Sequence, residues 1–127
     1  MAAPFVMADA SGRVVGYYTL SAYTIRLTEL PPELAKRFPK YPLLPATLLG
    51  RLAVNREHQT QKLGRILLMD ALKRSLKYTH EIASVAVVVE AYDDQARNFY
   101  RRHEFTPLID RPDKLFLAMR TIESAFS

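Results

Sequence analysis

Residues 51–68 read RLAVNREHQTQKLGRILL, a stretch in which an apolar segment, a polar turn and an amphipathic segment follow one another directly. The segment Thr47–Val54 (TLLGRLAV) predicts a strand, because it is apolar and ends at a polar turn that begins with Asn55. From Leu63 to about Lys77 the spacing predicts a long helix, whose apolar face consists of Leu63, Leu67, Leu68, Ala71, Leu72 and Leu76. A strand that leads through a short turn into a long helix is typical of a mixed α/β domain.

The sequence before this stretch predicts a hairpin and then a proline-rich loop. Phe5–Asp9 is a short apolar run, Ser11-Gly12 forms a turn, and Val14–Ile25 is rich in β-branched and aromatic residues, so two antiparallel strands are expected. Five of the eight prolines lie within residues 31–45. They restrict helix to one or two turns in Pro32–Arg37, and the remainder is expected to be an ordered loop.

The sequence after the long helix predicts strands and one further helix. Ala83–Val89 (ASVAVVV) is a continuous apolar run, which indicates a strand covered on both faces. Asp93 or Asp94 can cap a short helix that runs through His103. Two last strands are expected near Glu104–Ile109 and Leu115–Thr121, with a turn bracketed by Pro107 and Pro112. The whole order predicts one α/β (α+β) domain, residues 1–127, with a mixed central sheet and flanking helices.

Composition excludes several classes of protein. The 127-residue chain has no cysteine, so disulfides, thiolate nucleophiles and cysteine-ligated zinc are excluded. The three histidines have no metal-ligand spacing, and no metal is expected. The longest uncharged stretches are too short to span a bilayer and the N-terminus lacks a signal-peptide pattern, which predicts a cytoplasmic protein without membrane association. The net charge of +5 fits either a surplus for solubility or attraction to phosphates.

The start of the long helix is a candidate anion site. The first turn of a helix has free N–H groups and the positive end of the helix dipole, and both attract anions. Lys62 and Arg65 lie at this end, where a cation is unfavourable unless an anion is near. The two side chains either contact such an anion or extend into solvent.

Two segments together resemble the motifs of the GNAT superfamily of N-acetyltransferases. Gln59, Leu63 and Gly64 match its acyl-CoA-binding turn, and the preceding Leu52-Ala53-Val54 matches the strand that leads into that turn. Downstream, Ala91–Phe105 (AYDDQARNFYRRHEF) resembles the element that follows in this family. The two motifs occur in the expected order and cover the chain from Gly50 to Phe105.

The resemblance implies an enzyme that moves an acetyl group from acetyl-CoA, its acyl-donor substrate, to a primary amine without a metal. It assigns Tyr100 as the general acid that protonates the leaving thiolate, while core packing is the other interpretation of Tyr100. It assigns Asn98 to cofactor contact, and solvent exposure is the other interpretation. The remaining cofactor-binding residues that it implies are Leu52, Ala53 and Val54 for the pantetheine arm, and Gln59, Thr60, Gln61, Lys62, Leu63, Gly64 and Arg65 for the pyrophosphate.

A narrower resemblance covers nearly the whole chain. The segments VVGYYTLS, YPLLPATLLGRLAV and LFLAMRTI, together with FYRR, look like the aminoacyl-tRNA-acetylating toxins of bacterial toxin–antitoxin pairs. The resemblance implies acetylation of the α-amine of an aminoacyl-tRNA, which stops translation, and an antitoxin partner with a ribbon-helix-helix DNA-binding part. A homodimer is also expected.

The chain departs from the family pattern at three places. Thr60 and Lys62 occupy positions where the family usually has glycines, and Glu104 replaces a glycine that often needs a positive φ. The strand and two helices that the family has before its hairpin have no counterpart ahead of Val14, so either the start of the chain is misassigned or the chain is a shortened member. A truncated, non-catalytic domain that binds acyl-CoA or a protein partner is therefore the second hypothesis.

Overall fold

The structure, a computed structural model of the chain, is a mixed sheet flanked by helices, and it describes residues 2–55, 61–109 and 111–126. The sheet has six strands in the order β1-β2-β3-β4-β6-β5. Strands β3 and β4 are parallel, and the other neighbours are antiparallel. The predicted α/β class is therefore confirmed. The strands are β1 (Ala3–Ala8), β2 (Val14–Arg26), β3 (Leu43–Val54), β4 (Ala86–Glu90), β5 (Thr106–Leu108) and β6 (Arg111–Ala118), and the helices are α1 (Pro32–Ala35), α2 (Gln61–Ile82), α3 (Asp94–Arg102) and α4 (Met119–Phe126).

Each face of the sheet has its own core. On one face, which we call the helix face, α2 contributes apolar residues at the predicted helical spacing, and α4 adds Met119 and Ile122. On the other face, which we call the loop face, the segment between β2 and β3 covers the sheet with Leu30 and Phe38. Among the α2 side chains that the structure describes, the buried apolar ones are Leu67, Leu68, Ala71 and Leu72. The long helix therefore owes its place to the burial of one apolar face, as its sequence pattern indicates.

The third strand begins earlier than predicted, because it includes Pro45. Pro45 lies opposite Thr24 on β2, between pairs whose backbone groups bond to each other. The Pro45 nitrogen, which carries no hydrogen, therefore faces away from β2. On that side β3 pairs with β4 only from Thr47 onward, so no ladder hydrogen bond is lost. The Pro45 carbonyl on that side accepts the Val85 N–H at 2.9 Å. The expectation of a loop throughout the proline-rich segment was therefore wrong for Leu43–Ala46.

The long helix ends later than predicted and shortens the strand that follows. Helix α2 continues to Ile82, and β4 begins only at Ala86 rather than at Ala83. Ala83 ends the helix with φ +52°, and its N–H donates to the Thr79 carbonyl at 2.7 Å. Glycine usually occupies this left-handed position, so an alanine gives no sign in the sequence that the helix stops there.

The C-terminus differs most from the prediction. Pro107 and Pro112 lie inside β5 and β6, and the predicted strand Leu115–Thr121 is the end of β6 followed by α4. Met119 and Ile122 are buried and Phe126 is half-buried, at the spacing of a helix face that the strand interpretation overlooked. No helix in the described part of the chain has the length and hydropathy needed to cross a membrane.

Candidate active site

The sheet parts between β3 and β4. These strands pair only at Thr47 with Val87, Leu48 with Val88 and Leu49 with Val89, within the described residues. Strand β3 then continues to Val54 beside β2, while β4 ends at Glu90. One edge of β3 beyond Leu49 therefore faces the gap that the parted strands leave.

A β-bulge begins where the strands part. On β2, Tyr18 and Leu20 lie opposite Leu52 and Leu49, so β3 has one extra residue between these pairs. A Cβ at Gly50 would lie 2.7 Å from the Thr19 Oγ1, so any other residue here would force the Thr19 side chain to move. Bulges bend a strand and change the direction of its backbone groups, and here the bulge turns the end of β3 away from β4.

The end of β3 presents backbone groups to this gap. The Asn55 N–H donates to the Val15 carbonyl at 2.8 Å, so the bonded pairs with β2 fall at Asn55 and, two residues earlier, at Ala53. Successive residues of an antiparallel strand direct their backbone groups to alternate edges. The N–H and C=O of Leu52 and of Val54 therefore point away from β2, towards the gap. This orientation is the one that an extended, amide-containing ligand requires for ladder-like hydrogen bonds.

A groove of about 590 Å³ follows the end of β3 on the helix face. One wall is Leu52, Ala53 and Val54, and Gly64 in the first turn of α2 forms part of the next. Helix α3 and the residue before it complete the lining with Asp93, Gln95, Ala96, Phe99, Tyr100 and Arg102. The groove therefore brings together the two segments that resemble the GNAT motifs.

Tyr100 lines this groove with a largely buried side chain, which is 6% exposed. Its ring makes edge contacts with Phe99 and Phe105, each at 5.3 Å between centroids. Burial raises the pKa of Tyr100 to about 12. The hydroxyl therefore stays protonated near neutral pH and can donate a hydrogen bond or a proton to a negative atom in the groove.

The N-terminus of α3 is fixed to the sheet by polar contacts. Asp93 caps the helix by accepting the Ala96 N–H at 2.7 Å, which confirms one of the two predicted caps. The Arg97 guanidinium donates to the Ala91 carbonyl at 3.2 Å and to the Asp113 carboxylate at 3.0 Å. These contacts join α3 to the ends of β4 and β6, and they set the position of Tyr100 one turn further along.

A second, smaller groove lies between the start of α2 and the end of α3. Lys62, Arg65 and Arg102 line it together with Met69, Phe99 and His103, around a volume of about 400 Å³. Because the Phe99 carbonyl can only accept, the His103 Nδ1 donates to it, at 2.8 Å. Arg102 and Phe99 line both grooves, so the cationic groove continues the one that contains Tyr100.

The predicted site residues divide into three groups. The structure places Leu52, Ala53, Val54, Gly64 and Tyr100 together, and it places Lys62 and Arg65 in the adjoining cationic groove. Asn98 is exposed and lies outside the set that lines either groove. Gln59 and Thr60 fall outside the described residues, and Gln61 and Leu63 are described as the first turn of α2, without the side chain of Gln61.

Several groove residues were missed from the sequence. Ala96, Phe99 and Arg102 line the grooves, and the sequence predicted no site role for them beyond their place in the segment that resembles the family. The spacing of Phe99 and Arg102 could have placed them on one surface, because positions three residues apart on a helix lie on the same face. Gln95 gave no such signal. Glu104 does adopt a positive φ of +71°, so the conformation expected from the family glycine is confirmed.

Comparison with known proteins identifies the family. The model of the acetyltransferase (GNAT) domain matches residues 2–107, which is most of the chain. The fold and the groove agree with that match, because the strand end and the two helices of the groove come from the segments that resemble GNAT motifs. The chain belongs to the GNAT acetyltransferase family.

Particular relatives are toxins. The chain is 36% identical over 109 residues to a tRNA-acetylating toxin of Mycobacterium tuberculosis, a match covering 86% of this chain and 64% of that protein. It is similar to AtaT complexed with acetyl-methionyl-tRNAfMet, with a TM-score of 0.88 at 28% identity over 99% of this chain and 76% of the other. A structure of AtaTR bound with AcCoA gives a TM-score of 0.82 at 27% identity, over 99% and 75% of the two chains.

Proposed function

We propose that this protein transfers the acetyl group of acetyl-CoA to the α-amine of an aminoacyl-tRNA, and that it thereby arrests translation. The observation that carries the proposal is the position of Tyr100, a buried and protonated hydroxyl in a groove whose opposite wall is the diverging end of β3. The similarity to a tRNA-acetylating toxin and to AtaT with acetyl-methionyl-tRNAfMet supports the choice of acceptor.

The donor would lie along the groove from the start of α2 to Tyr100. The pantetheine arm has amides that can pair with the Leu52 backbone at the end of β3, as an added strand would. The amides of the first turn of α2, with Lys62 and Arg65 beside them, would bind the pyrophosphate. Gln59, Thr60 and Asn98 keep their cofactor roles as predictions from the family pattern.

The chemistry that this geometry supports is acyl transfer through a tetrahedral intermediate. The amine nitrogen attacks the thioester carbon, a C–N bond forms, and the C–S bond then breaks as coenzyme A leaves. Tyr100 donates its proton to the sulfur, so that the leaving group departs as a thiol. Holding both reactants together supplies much of the acceleration, because the reaction no longer depends on random encounter.

The acceptor would be held by cations as well as by its amine. The chain has a net charge of +5, and Arg101 and Arg102 are exposed at the end of α3, beside the groove. Phosphate contacts of this kind bind any tRNA and do not select its amino acid.

Two protein partners are part of the proposal. The resemblance to toxins of toxin–antitoxin pairs implies an antitoxin partner with a ribbon-helix-helix part. The first hairpin exposes Val6, at 69%, and Val14, at 46%, and these apolar side chains would gain from burial against an antitoxin or a second copy of the chain. Size-exclusion chromatography with light scattering would test self-association directly.

The test of the proposed function is acetyl transfer by the purified protein. Radiolabelled acetyl-CoA and total bacterial tRNA charged with a mixture of amino acids are the probes, and label in the aminoacyl fraction is expected. Tyr100→Phe should lower the rate by about 10²-fold or more, because it removes a general acid, and should leave acetyl-CoA binding by calorimetry intact. Tyr78→Phe, on the exposed side of α2, is the matched control and should keep full activity.

The outcomes separate the hypotheses. Binding of acetyl-CoA without transfer to any charged tRNA would overturn the proposal in favour of a non-catalytic acyl-CoA-binding domain. Absence of binding would exclude both.

A further inference from the structure

The smaller groove, between the start of α2 and the end of α3, has a cationic lining. The residues that line it are Lys62, Arg65, Met69, Phe99, Arg102 and His103. Three of them are cations at neutral pH, and none of the described residues that line this groove is acidic. Cations gathered on one concave surface attract anions and raise the local concentration of an anionic ligand. The groove is therefore suited to a ligand that carries negative charge.

The acidic side chains that line the adjacent surfaces are already engaged. Asp70 on α2 accepts a hydrogen bond from the Tyr18 hydroxyl and lies 3.6 Å from the Arg74 guanidinium. Asp93, which lines the larger groove, caps α3 by accepting the Ala96 N–H. These two carboxylates therefore serve the fold and do not neutralise the cations of the smaller groove.

Arg102 differs from its neighbour Arg101 in its position on α3. Both are exposed in the last turn of the helix, where a cation interacts favourably with the helix dipole. Arg102 lies three residues after Phe99, on the same face of the helix, and lines both grooves. Arg101 is not among the residues that line either groove. The dipole accounts for both arginines equally, and only Arg102 is placed to contact a ligand in the grooves.

The proposed position of the donor leaves one anionic part of coenzyme A to be placed. With the thioester at Tyr100 and the pantetheine arm along β3, the pyrophosphate lies at the start of α2. Beyond the pyrophosphate the coenzyme continues as an adenosine, whose ribose carries a 3′-phosphate. Lys62 and Arg65 line the smaller groove, so this groove begins where the pyrophosphate would lie. The adenosine and its phosphate would therefore enter the smaller groove.

The lining of this groove matches both parts of the adenosine 3′-phosphate. A guanidinium such as that of Arg102 can bind a phosphate through two parallel hydrogen bonds. The rings of Phe99 and His103 are half-buried and lie 4.8 Å apart between centroids, and aromatic surfaces of this kind stack on bases. The bond between the His103 Nδ1 and the Phe99 carbonyl holds the second ring in place.

We infer that the smaller groove binds the adenosine 3′-phosphate of coenzyme A, and that Arg102 makes the protein select the phosphorylated coenzyme. The inference rests on the proposed acetyl-CoA site. The 3′-phosphate is remote from the thioester and takes no part in the bonds that form and break. Arg102 therefore acts on the affinity for the donor and on the choice of donor.

Calorimetric titration of the purified protein with CoA and with 3′-dephospho-CoA tests the inference, because the two compounds differ only in this phosphate. The wild type should bind CoA more tightly by about fivefold or more, in keeping with a charge-assisted hydrogen bond. Arg102→Gln should lose most of this preference, because the affinity for CoA falls and the affinity for 3′-dephospho-CoA stays nearly unchanged. The titrations contain no tRNA, so phosphate contacts of α3 with an acceptor do not contribute.

Two further variants separate the 3′-phosphate from charge in general. Arg101→Gln is the matched control, because it removes the same charge from the same helical turn, and it should keep the wild-type preference for CoA. Lys62→Gln should weaken binding of both compounds by a similar factor, because the pyrophosphate is common to them.

The inference is overturned if the wild type prefers CoA by less than about fivefold. It is also overturned if Arg102→Gln lowers the preference no more than Arg101→Gln does. The first of these results needs no variant, so it holds whatever the stability of the substituted chains. Failure of the proposed function would be seen differently, as a protein that prefers CoA over 3′-dephospho-CoA but does not acetylate charged tRNA.

Discussion

Gly64 in the first turn of α2 lies against Phe99 of α3, and a Cβ on Gly64 would stand 3.5 Å from the Phe99 Cε1 atom. This is ordinary van der Waals contact, so the two helices already approach as closely as an alanine would allow. Both residues line the groove proposed for the donor, and the groove has its width at this point because Gly64 has no side chain.

Gly64→Ala should therefore fold normally, whereas Gly64→Leu should narrow the groove or push α3 outward. We expect the Kd of acetyl-CoA to rise several-fold for the alanine variant and by more than tenfold for the leucine variant, measured by calorimetry. Gly12→Ala, in the first hairpin, meets no neighbouring atom but is strained at a φ of +87°, so it controls for a loss of stability that leaves the groove unchanged. Equal affinity in Gly64→Leu and the wild type would contradict a donor in this groove.

Tyr100 should make the fold sensitive to alkaline pH. An unfolded tyrosine ionises near pH 10, whereas burial raises the pKa of Tyr100 to about 12. The folded state therefore holds its proton more tightly, and the stabilisation present below pH 10 is lost as pH rises through 12. From a shift of about two pKa units, we expect about 2–3 kcal/mol to be lost over this range.

Urea unfolding at pH 8, 10 and 11.5 would measure this loss, and Tyr100→Phe should reduce it. Tyr18 contributes in the same range, because burial and a hydrogen bond to Asp70 raise its pKa to about 12. The double variant with Tyr18→Phe should therefore flatten the dependence further. An unchanged pH dependence in both variants would contradict the burial of Tyr100.

Gly16→Ala should destabilise the fold by steric overlap. A Cβ on Gly16 would lie 2.6 Å from the Leu67 Cδ1 and 3.0 Å from the Ala53 carbonyl oxygen, and the second of these is backbone that cannot rotate away. We expect a loss of about 1–3 kcal/mol in the free energy of unfolding, as for other overpacked positions. Combining Gly16→Ala with Leu67→Val, which removes the nearer atom, should recover only part of this loss.

Glu104→Gly should stabilise the chain. Glu104 has a φ of +71° and an exposed side chain. Its left-handed conformation is therefore unfavourable, and burial of the side chain does not offset the strain. Relief of this strain outweighs the added freedom of glycine in the unfolded state, and we expect a net gain of about 0.5–1 kcal/mol in thermal or urea unfolding. Glu104→Ala keeps the strain and should show no such gain, which separates the backbone effect from loss of the carboxylate.

The sequence predicted the elements whose apolar spacing is long and regular. Helix α2 and the first hairpin are examples, because burial of one face determines both. It failed where a residue adopts a conformation that its type does not announce, as Ala83 does when it ends α2 in place of a glycine. At Met119 the apolar pattern of β6 meets the helical spacing of α4. The apolar run Leu115–Leu117 was therefore read on as a strand, and the start of α4 was missed.

The candidate site was predictable in part for a similar reason. Tyr100, Gly64 and the end of β3 belong to contiguous motifs, so their sequence order was enough to associate them. The contact of Arg97 with Asp113 joins residues far apart in sequence, and no local pattern announces it.

The parting of β3 from β4 also bears on how long the protein survives in the cell. In the described part of the chain, three register pairs and the bond from Val85 to Pro45 join the two halves of the sheet there, so this seam is a natural place for local opening and proteolytic attack. A donor that fills the seam like an added strand would hold the halves together, and each tenfold excess of donor over its Kd would add about 1.4 kcal/mol of stability. If the protein has the proposed function, its abundance would then follow the acetyl-CoA supply of the cell.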